Sequence, residues 1–370
     1  MHYFDPERCG PDVVGWETTL RCNMRCRHCG STAGDPRGSE LNTAEALELC
    51  EQITALGPRR VVLTGGETLL RPDWAALCEA LLAGGPAVGL LTNGWTLTER
   101  GVEALARFAG TGLYVSISID GDAAEHDQIR GLDGSFERAF HGGQALRDAG
   151  VPVCVITTMS RVNMESLPAL RERVLGELRP YAWQLQVTTP FGRAAMDDAF
   201  AIDPVDYVRL ACFACETRRL GAQRGTEVFA GDCLGYCSSL DPGLRDEPWQ
   251  GCGAGERILG IRSNGDVIGC LSIVDDRYLE GSVRSAPLAA LWRRPGAFPY
   301  TRAFDPAALG GICAGCPEGN RCRGGCTANS ISVYDQPHRA PYCVRAFEEL
   351  SSVEAPGPAD GQPATGEISL

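Results

Sequence analysis

Short apolar runs alternate with amphipathic segments through the first half of the chain. Strand-like runs occur at residues 13–20, 60–63, 88–92, 113–120, 151–158 and 183–189. Segments with the apolar spacing of helices lie between them, at 42–56, 72–82, 98–108, 135–149 and 166–178. The strands recur about every 30–40 residues, the size of one strand-and-helix unit. Six such units predict an α/β fold with a parallel, partly closed (β/α)6 barrel.

Two helix starts carry local signals. Asn42 with Glu45 predicts a capping box, and Pro72 suits the first turn of the second helix. The active sites of such barrels lie at the carboxyl ends of the strands. We therefore expect the chemistry in the loops that leave those ends.

The alternation stops after about residue 205, and Gly, Cys and turn residues dominate 231–343. We predict a barrel at 1–205, a bridging region at 206–249 and a small Cys-rich domain at 250–350. A domain of that composition is held by metal rather than by a large apolar core. The tail, 351–370, is rich in Pro, Gly and Ala and is predicted to be disordered.

Composition limits the classes of partner and cofactor. The 370 residues carry a net charge of −13, which disfavours a broad nucleic-acid or anionic-membrane surface. All 34 basic residues are Arg, so Schiff-base lysine and P-loop chemistry are excluded. No apolar run approaches the ~18 residues of a membrane span, and the N-terminus lacks the apolar core of a signal peptide. We expect a cytoplasmic protein, in which 18 cysteines favour metal or redox chemistry over disulfides.

Three cysteines follow the first strand closely: Cys22, Cys26 and Cys29. Three thiolates at this spacing can hold three irons of a [4Fe–4S] cube and leave the fourth iron open. Half of a zinc site, or reduced core cysteines, are the alternatives. Gly65-Gly66-Glu67 follows the second strand, where glycines permit close backbone approach and a carboxylate can take an ammonium group.

The three cysteines and the loops after the strands resemble the radical S-adenosylmethionine (SAM) enzymes, over roughly residues 10–200. The resemblance implies a TIM-like partial barrel in which the open iron binds SAM and a 5′-deoxyadenosyl radical abstracts hydrogen from the substrate. It implies that the Gly65–Glu67 loop binds the SAM amino group and that Arg130 binds the SAM carboxylate, since a guanidinium can donate two parallel hydrogen bonds to a carboxylate. His28 is expected against the adenine. Ser116, Ser118 and Asp120 share one strand face, which the resemblance gives to ribose or substrate. Thr68 stands where the family usually has Pro.

A second cysteine array resembles the SPASM domain, which carries two auxiliary [4Fe–4S] clusters, and so implies three clusters in all. A zinc ribbon is the alternative for its central cysteines. By position in the family order, the outer cluster would be held by Cys313, Cys316, Cys322 and Cys343. The inner cluster would be held by Cys252, Cys270 and Cys326.

The inner cluster is one cysteine short in this assignment, because residues 253–269 contain none. Either its fourth iron is open, or an upstream residue closes it; Asp232, Cys233 and Cys237 are the candidates. An open iron could bind substrate directly, whereas a closed cluster can only relay an electron.

Enzymes with this pair of domains mostly modify peptides, so the resemblance favours maturation of a ribosomally made peptide by crosslinking, epimerisation, excision or oxidation. No leader-binding module precedes the cysteines, so a separate leader-binding protein or the barrel itself is expected to bind the peptide. Flavodoxin or ferredoxin is the expected electron donor.

Formylglycine formation in a sulfatase and dehydrogenation of a small molecule are the alternative reactions. A non-enzymatic iron–sulfur carrier fits poorly with Gly65-Gly66-Glu67. No residue stands out as the catalytic acid or base; the candidates near the mouth of the barrel are Glu17, Asp120, Gln184, Gln186 and Tyr236.

Overall fold

The computed structural model describes residues 5–6 and 9–354, and its strands form one ten-stranded sheet. The strands are β1 Val13–Thr19, β2 Arg60–Gly65, β3 Ala87–Thr92, β4 Leu113–Ser118, β5 Val153–Met159, β6 Ala182–Val187, β7 Glu227–Ala230, β8 Ile258–Ile261, β9 Asp266–Ile268 and β10 Gly281–Ser282. Their order across the sheet is β10-β9-β8-β1-β2-β3-β4-β5-β6-β7. Neighbours from β8 through β1 to β7 are parallel, and β9 and β10 add an antiparallel edge.

Helices connect the parallel strands and cover the sheet. They are α1 Thr43–Ala55, α2 Trp74–Ala83, α3 Glu99–Ala106, α4 Ala123–Arg130, α5 Ser135–Asp148, α6 Leu167–Arg173, α7 Pro204–Arg224, α8 Asp241–Leu244, α9 Leu288–Arg293, α10 Pro299–Arg302, α11 Gly319–Cys322, α12 Thr327–Tyr334 and α13 Val344–Glu354. A π-helical turn, Val174–Leu178, extends α6. Among the described residues, no helix is both long and apolar enough to cross a membrane.

The predicted partial barrel is confirmed, because each of its six strands and five helices has a counterpart within a few residues. Three features depart from the expectation. The segment after β4 contains a further helix, α4, and α2 begins at Trp74, so Pro72 lies ahead of its first turn. In addition, α7 and β7 continue the alternation through the segment predicted as a bridge.

The Cys-rich second half shares the sheet of the barrel. β8 pairs with β1 in parallel, from Val13 with Ile258 to Trp16 with Ile261. The auxiliary cysteines on either side of the β8–β9 hairpin are therefore anchored next to the strand that leads into the N-terminal cysteine loop. α13 runs four residues into the predicted tail, and residues 355–370 lie outside the described residues.

The capping box predicted for α1 is confirmed. The Asn42 side chain accepts from the backbone N–H groups of Ala44 and Glu45, and the Glu45 carboxylate accepts from the Asn42 N–H at 2.9 Å. Glu45 also pairs with Arg284, at 2.9 Å, so the same helix start fastens the second half of the chain to the barrel.

We expect Asn42→Ala to lower the free energy of unfolding by about 1 kcal/mol, because two N–H groups lose their acceptor. Urea unfolding of the anaerobically purified protein measures this. Asn42→Ser is the matched control, since serine keeps an acceptor and should recover most of the loss. Equal destabilisation by both variants would contradict a capping role.

Candidate iron–sulfur and SAM site

The loop that carries the first three cysteines closes on itself after β1. Cys22 donates its backbone N–H to Gly34 O at 2.9 Å, and Gly34 donates to Leu20 O at 3.0 Å. Inside the loop, the N–H groups of Met24 and Ala33 approach the thiols of Cys22 and Cys29, at 3.4 Å each. Donors aimed at sulfur stabilise the thiolate that an iron requires.

Cys26 is the buried member of this group and lies next to a cation. Arg130 Nη1 is 3.9 Å from its Sγ. Burial raises the pKa of the Cys26 thiol, and the Arg130 guanidinium opposes that rise. Arg130 is thus placed to balance the negative charge of a metal-bound thiolate.

In the described part of the chain, no three Cys, His, Asp or Glu side chains converge on a point that a single ion could occupy. The assignment of the cysteines to clusters or to zinc stays a prediction.

The Gly65-Gly66-Glu67 loop lies against the cysteine loop. Gly66 N–H donates to Thr19 O and Glu67 N–H to Arg21 O, both at 2.8 Å. A Cβ on Gly65 would come within 2.1 Å of Thr19 O, and one on Gly66 within 2.2 Å of Arg21 O. Glycines are therefore required here because the end of β2 packs directly on the backbone at the end of β1. The sequence alone did not reveal this packing.

Glu67 is fully buried, and both of its carboxylate oxygens are engaged. They accept the backbone N–H groups of Leu69, at 3.2 Å, and Asn93, at 2.7 Å. Burial raises the pKa of this carboxyl to about 7, against the lowering effect of those donors. The side chain thus ties the end of β2 to the end of β3, and its expected contact with an ammonium group stays a prediction.

Asp120 is the centre of a buried polar network after β4. One oxygen accepts from Arg130 Nη2 at 2.6 Å and contacts His28 Nε2 at 2.9 Å. The other accepts the Thr158 N–H at 2.9 Å, which links the network to β5. Burial raises the pKa of the Asp120 carboxyl, but Arg130 and then His28 outweigh it, and the pKa lies well below its usual range. The carboxylate is therefore ionised.

This arrangement bears on the role expected for Arg130. Its Nη2 binds Asp120 and its Nη1 lies at Cys26, so both ends of its fork already have protein partners, and its contact with a SAM carboxylate stays a prediction. Arg130 Nε and His28 Nδ1 are buried with no hydrogen-bond partner among the described residues. Buried polar atoms nearly always have a partner, so these two suit a polar ligand beside the cysteine loop. The His28 ring also lies 5.9 Å from that of Phe200.

The two strand serines lie below this network. Ser116 is buried opposite Cys154 of β5, and Ser118 is half-buried opposite Ile156. Asp120 follows two residues after the end of β4, so only the last of the three alternating side chains joins the network.

Two residues important to this geometry were missed or given little weight. Arg193, in the loop after β6, donates to the carbonyls of Cys26, at 2.7 Å, and Ala33, at 3.0 Å. Asn163, fully buried, donates to the carbonyls of Thr158 and Asp120. Arg193 carries no sequence signal, because its partners are backbone atoms about 160 residues away.

The predicted inner auxiliary cysteines lie in one region of the structure. Burial raises the pKa of the Cys326 thiol well above its usual value, and the neighbouring thiols of Cys252, Cys233 and Cys270 raise it further. These four cysteines lie deep in the protein, yet each keeps part of its surface accessible.

The four cysteines predicted for the outer cluster lie near one another, and Cys237 lies beside one of them. Cys343 lies near Cys313, Cys316 and Cys322, and the Ala340 N–H approaches the Cys313 thiol at 3.3 Å. The Cys237 thiol contacts that of Cys322, which raises the pKa of Cys322 and lowers that of Cys237. The two upstream cysteines are therefore divided, with Cys233 beside the inner group and Cys237 beside the outer one.

A cavity of about 250 Å³ lies between the N-terminal cysteine loop and the segment after Cys270. Two ion pairs lie in its wall, Glu17 with Arg37 and Arg262 with Asp276, at 2.8 and 2.6 Å. The remaining wall is formed by Gly30, Ser31, Thr32, Gly192, Leu271 and Val274. A larger groove, between α3 and α5, is lined by none of the ten predicted cluster ligands.

A parallel partial barrel with a cysteine loop after its first strand, joined to a domain with two cysteine groups, defines an iron–sulfur enzyme of the radical type. The radical SAM superfamily model matches residues 16–174, and the SPASM iron–sulfur cluster-binding model matches 252–317.

Relatives match along nearly the whole chain. The AdoMet-dependent heme synthase of Methanosarcina barkeri is 32% identical over 348 residues, covering 90% of this chain and 96% of that protein. The mycofactocin maturase MftC of Mycobacterium tuberculosis is 30% identical over 351 residues, covering 92% and 84%. This chain belongs to the radical SAM enzymes with a SPASM domain.

Solved structures show the same fold. Streptococcus suis SuiB bound to S-adenosylmethionine gives a TM-score of 0.71 at 17% identity, covering 90% of this chain and 76% of that one. anSMEcpe with bound AdoMet gives 0.70 at 16% identity, covering 92% and 96%. At these identities the likeness supports the fold alone.

We expect the protein without SAM to lose stability as the pH rises through the titration of Glu67. Its folded pKa of about 7 exceeds the ordinary 4.5, so the folded chain holds a proton that the unfolded chain has lost. The contribution is fully present below pH 4.5 and is lost by about pH 7, some ~3 kcal/mol in all.

Urea unfolding from pH 4.5 to 8 tests this by comparing the wild type with Glu67→Gln, which cannot titrate. The difference in stability should move in favour of the variant as the pH rises. Glu103→Gln, at an exposed carboxyl of α3, is the control. A constant difference between wild type and Glu67→Gln would contradict the raised pKa.

Proposed function

We propose that this radical SAM/SPASM enzyme acts on a peptide, cleaving SAM reductively and removing a hydrogen from one of its residues, as in the maturation of a ribosomally made peptide. Cys22, Cys26 and Cys29 would hold the catalytic cluster, which with SAM supplies a 5′-deoxyadenosyl radical. Two auxiliary clusters in the SPASM domain complete a set of three. An external low-potential donor such as flavodoxin or ferredoxin supplies the electrons.

The protein's own groups would position SAM beside that cluster. The free polar atoms of His28 and Arg130 are the hydrogen-bonding groups for it, and the Gly65–Glu67 loop presents backbone close to the cysteine loop. Asp120 holds His28 and Arg130 in place and acts through them.

The main support for a peptide substrate is the small polar cavity beside the cysteine loop. Its volume of about 250 Å³ is below the ~300–1,000 Å³ of ordinary small-molecule sites. It suits one or two amino-acid side chains, and the two ion pairs in its wall offer charged partners to a peptide backbone. The likeness to a mycofactocin maturase supports the same choice.

A tetrapyrrole is the second candidate substrate. It is favoured by the heme synthase relatives, the first of which is 32% identical across almost its whole length. The size of the cavity disfavours a tetrapyrrole, because a macrocycle would fit only if the lining residues Arg37 and Arg262 moved apart. Formylglycine formation gains no such support, since the likeness to anSMEcpe is at 16% identity.

We expect Cys22→Ala to abolish SAM cleavage, because the cluster loses one of its three ligands. Cys313→Ala should retain SAM cleavage without substrate but lose product formation, because only the outer auxiliary cluster is disturbed. Release of 5′-deoxyadenosine from the anaerobically reconstituted enzyme measures both. Cys9→Ala, at an exposed thiol, is the control. Retained cleavage in a triple alanine variant of Cys22, Cys26 and Cys29 would overturn the proposal.

Mass spectrometry distinguishes the two substrate classes. The reconstituted enzyme, with about twelve irons, is incubated with SAM, dithionite and either short peptides encoded beside its gene or carboxylated tetrapyrroles. A mass change in a peptide supports the proposal and identifies the type of bond. A mass change in a tetrapyrrole alone transfers the assignment to the second candidate.

A further inference from the structure

We propose that Cys233 is the fourth ligand of the inner auxiliary cluster, which closes that cluster and leaves no open iron for substrate. This inference rests on the proposed function, because it assumes that Cys252, Cys270 and Cys326 hold a cluster. The matched SPASM region contributes Cys252 and Cys270, whereas Cys233 lies outside both matched regions.

The position of Cys233 in the fold supports this role. It follows the end of β7 by three residues, whereas Cys252 and Cys270 lie on either side of the β8–β9 hairpin. β7 and the β8–β10 group are the two opposite ends of the sheet. The loop that carries Cys233 nevertheless packs on the segment that carries Cys326, because a Cβ on Gly325 would come within 2.9 Å of the Tyr236 ring. The thiols of Cys233, Cys252 and Cys270 all act electrostatically on that of Cys326. Both ends of the sheet therefore bring cysteines into the neighbourhood of Cys326.

The loop that carries Cys233 is held rigidly. Gly231 donates to Leu185 O at 2.7 Å, and Tyr207 donates its hydroxyl hydrogen to the Cys233 carbonyl at 3.0 Å. The Val187 N–H points at the Cys233 thiol from 3.3 Å. A donor aimed at sulfur favours the thiolate, and fixed backbone contacts set its position before a metal binds.

The backbone separates Cys233 from Cys237. Gly235, Tyr236 and Cys237 all have positive φ, at 97°, 71° and 53°. This conformation is unfavourable for Tyr and Cys and persists only where the surroundings demand it. The chain turns there, and beyond the turn the Cys237 thiol contacts that of Cys322 in the outer group. Of the two upstream cysteines, only Cys233 is placed to complete the inner set.

Asp232 lies near the same group but is the weaker ligand for this cluster. It is close to Cys252 and Cys270, and the charges of Arg245 and Arg257 act on its carboxylate. Iron–sulfur clusters are held mainly by thiolates. Asp232 is therefore the alternative that the experiment must separate from Cys233.

Electron paramagnetic resonance of the reduced holoenzyme, with and without imidazole, tests the assignment. SAM is added in excess, so that the open iron of the N-terminal cluster is occupied. We expect about twelve irons and no imidazole response in the wild type. Cys233→Ala should either lose about four irons or gain a signal with nitrogen hyperfine coupling from imidazole bound to the vacated iron.

Cys237→Ala is the matched control and should keep the wild-type iron content and show no imidazole coupling. Cys233→Ser serves if the alanine variant fails to fold: it should retain the irons and shift the inner-cluster signal, while Cys237→Ser does not. An imidazole response in the wild type, or a Cys233→Ala spectrum and iron count equal to those of the wild type, would overturn the assignment. A response confined to Asp232→Asn would do the same and give the site to Asp232.

Iron content separates this inference from the proposed function. A wild type with about four irons would refute the auxiliary clusters themselves, and Cys233 with them. A wild type with about twelve irons whose Cys233 variants are unchanged would refute only the ligand assignment.

Discussion

The cysteine loop depends on one carboxylate that has no contact with solvent, that of Asp120. It accepts hydrogen bonds from Arg130 on α4 and from the backbone of β5, and it contacts His28 inside the cysteine loop. A buried charge is tolerated only when it is paired and hydrogen-bonded, and removing one partner of such a pair typically costs about 3–5 kcal/mol. The network therefore fixes α4, β5 and the cysteine loop in one arrangement. Substitution of any residue in it is expected to disturb the positions of the others.

Charge balance in the loop follows from this network. Three thiolates within eight residues would repel one another, and burial raises the pKa of the Cys26 thiol. Arg130, held by Asp120, supplies a cation at that thiol, while backbone N–H groups serve Cys22 and Cys29. Arg193 binds the loop carbonyls from the opposite side. The loop is thus prepared for a negatively charged metal cluster by groups that carry no metal themselves.

The sequence was sufficient for the features that repeat or are spaced locally. Strand and helix periodicity identified the six units of the barrel, and cysteine spacing identified both cysteine arrays. β7 was missed because four residues carry too little pattern, and the pairing of β8 with β1 was missed because it joins residues about 245 apart. The same limit applies within the site. Nothing in the surrounding sequence shows that Arg130 is committed to Asp120 and Cys26, or that Gly66 is small because Arg21 O lies against it.

The two ends of the sheet explain why the SPASM domain shares the barrel's sheet. β7 and β8 lie at the two limits of the parallel run, and they are not paired with each other in the described part of the chain. A cluster held by Cys233 beyond β7 and by Cys252 and Cys270 around the β8–β9 hairpin would bridge the gap through iron. Metal binding would then contribute directly to folding, since the ligand set exists only in the closed arrangement. With Cys326 as the remaining ligand, such a cluster would have no open iron. It would then relay electrons, and substrate binding would fall to the cavity beside the N-terminal loop.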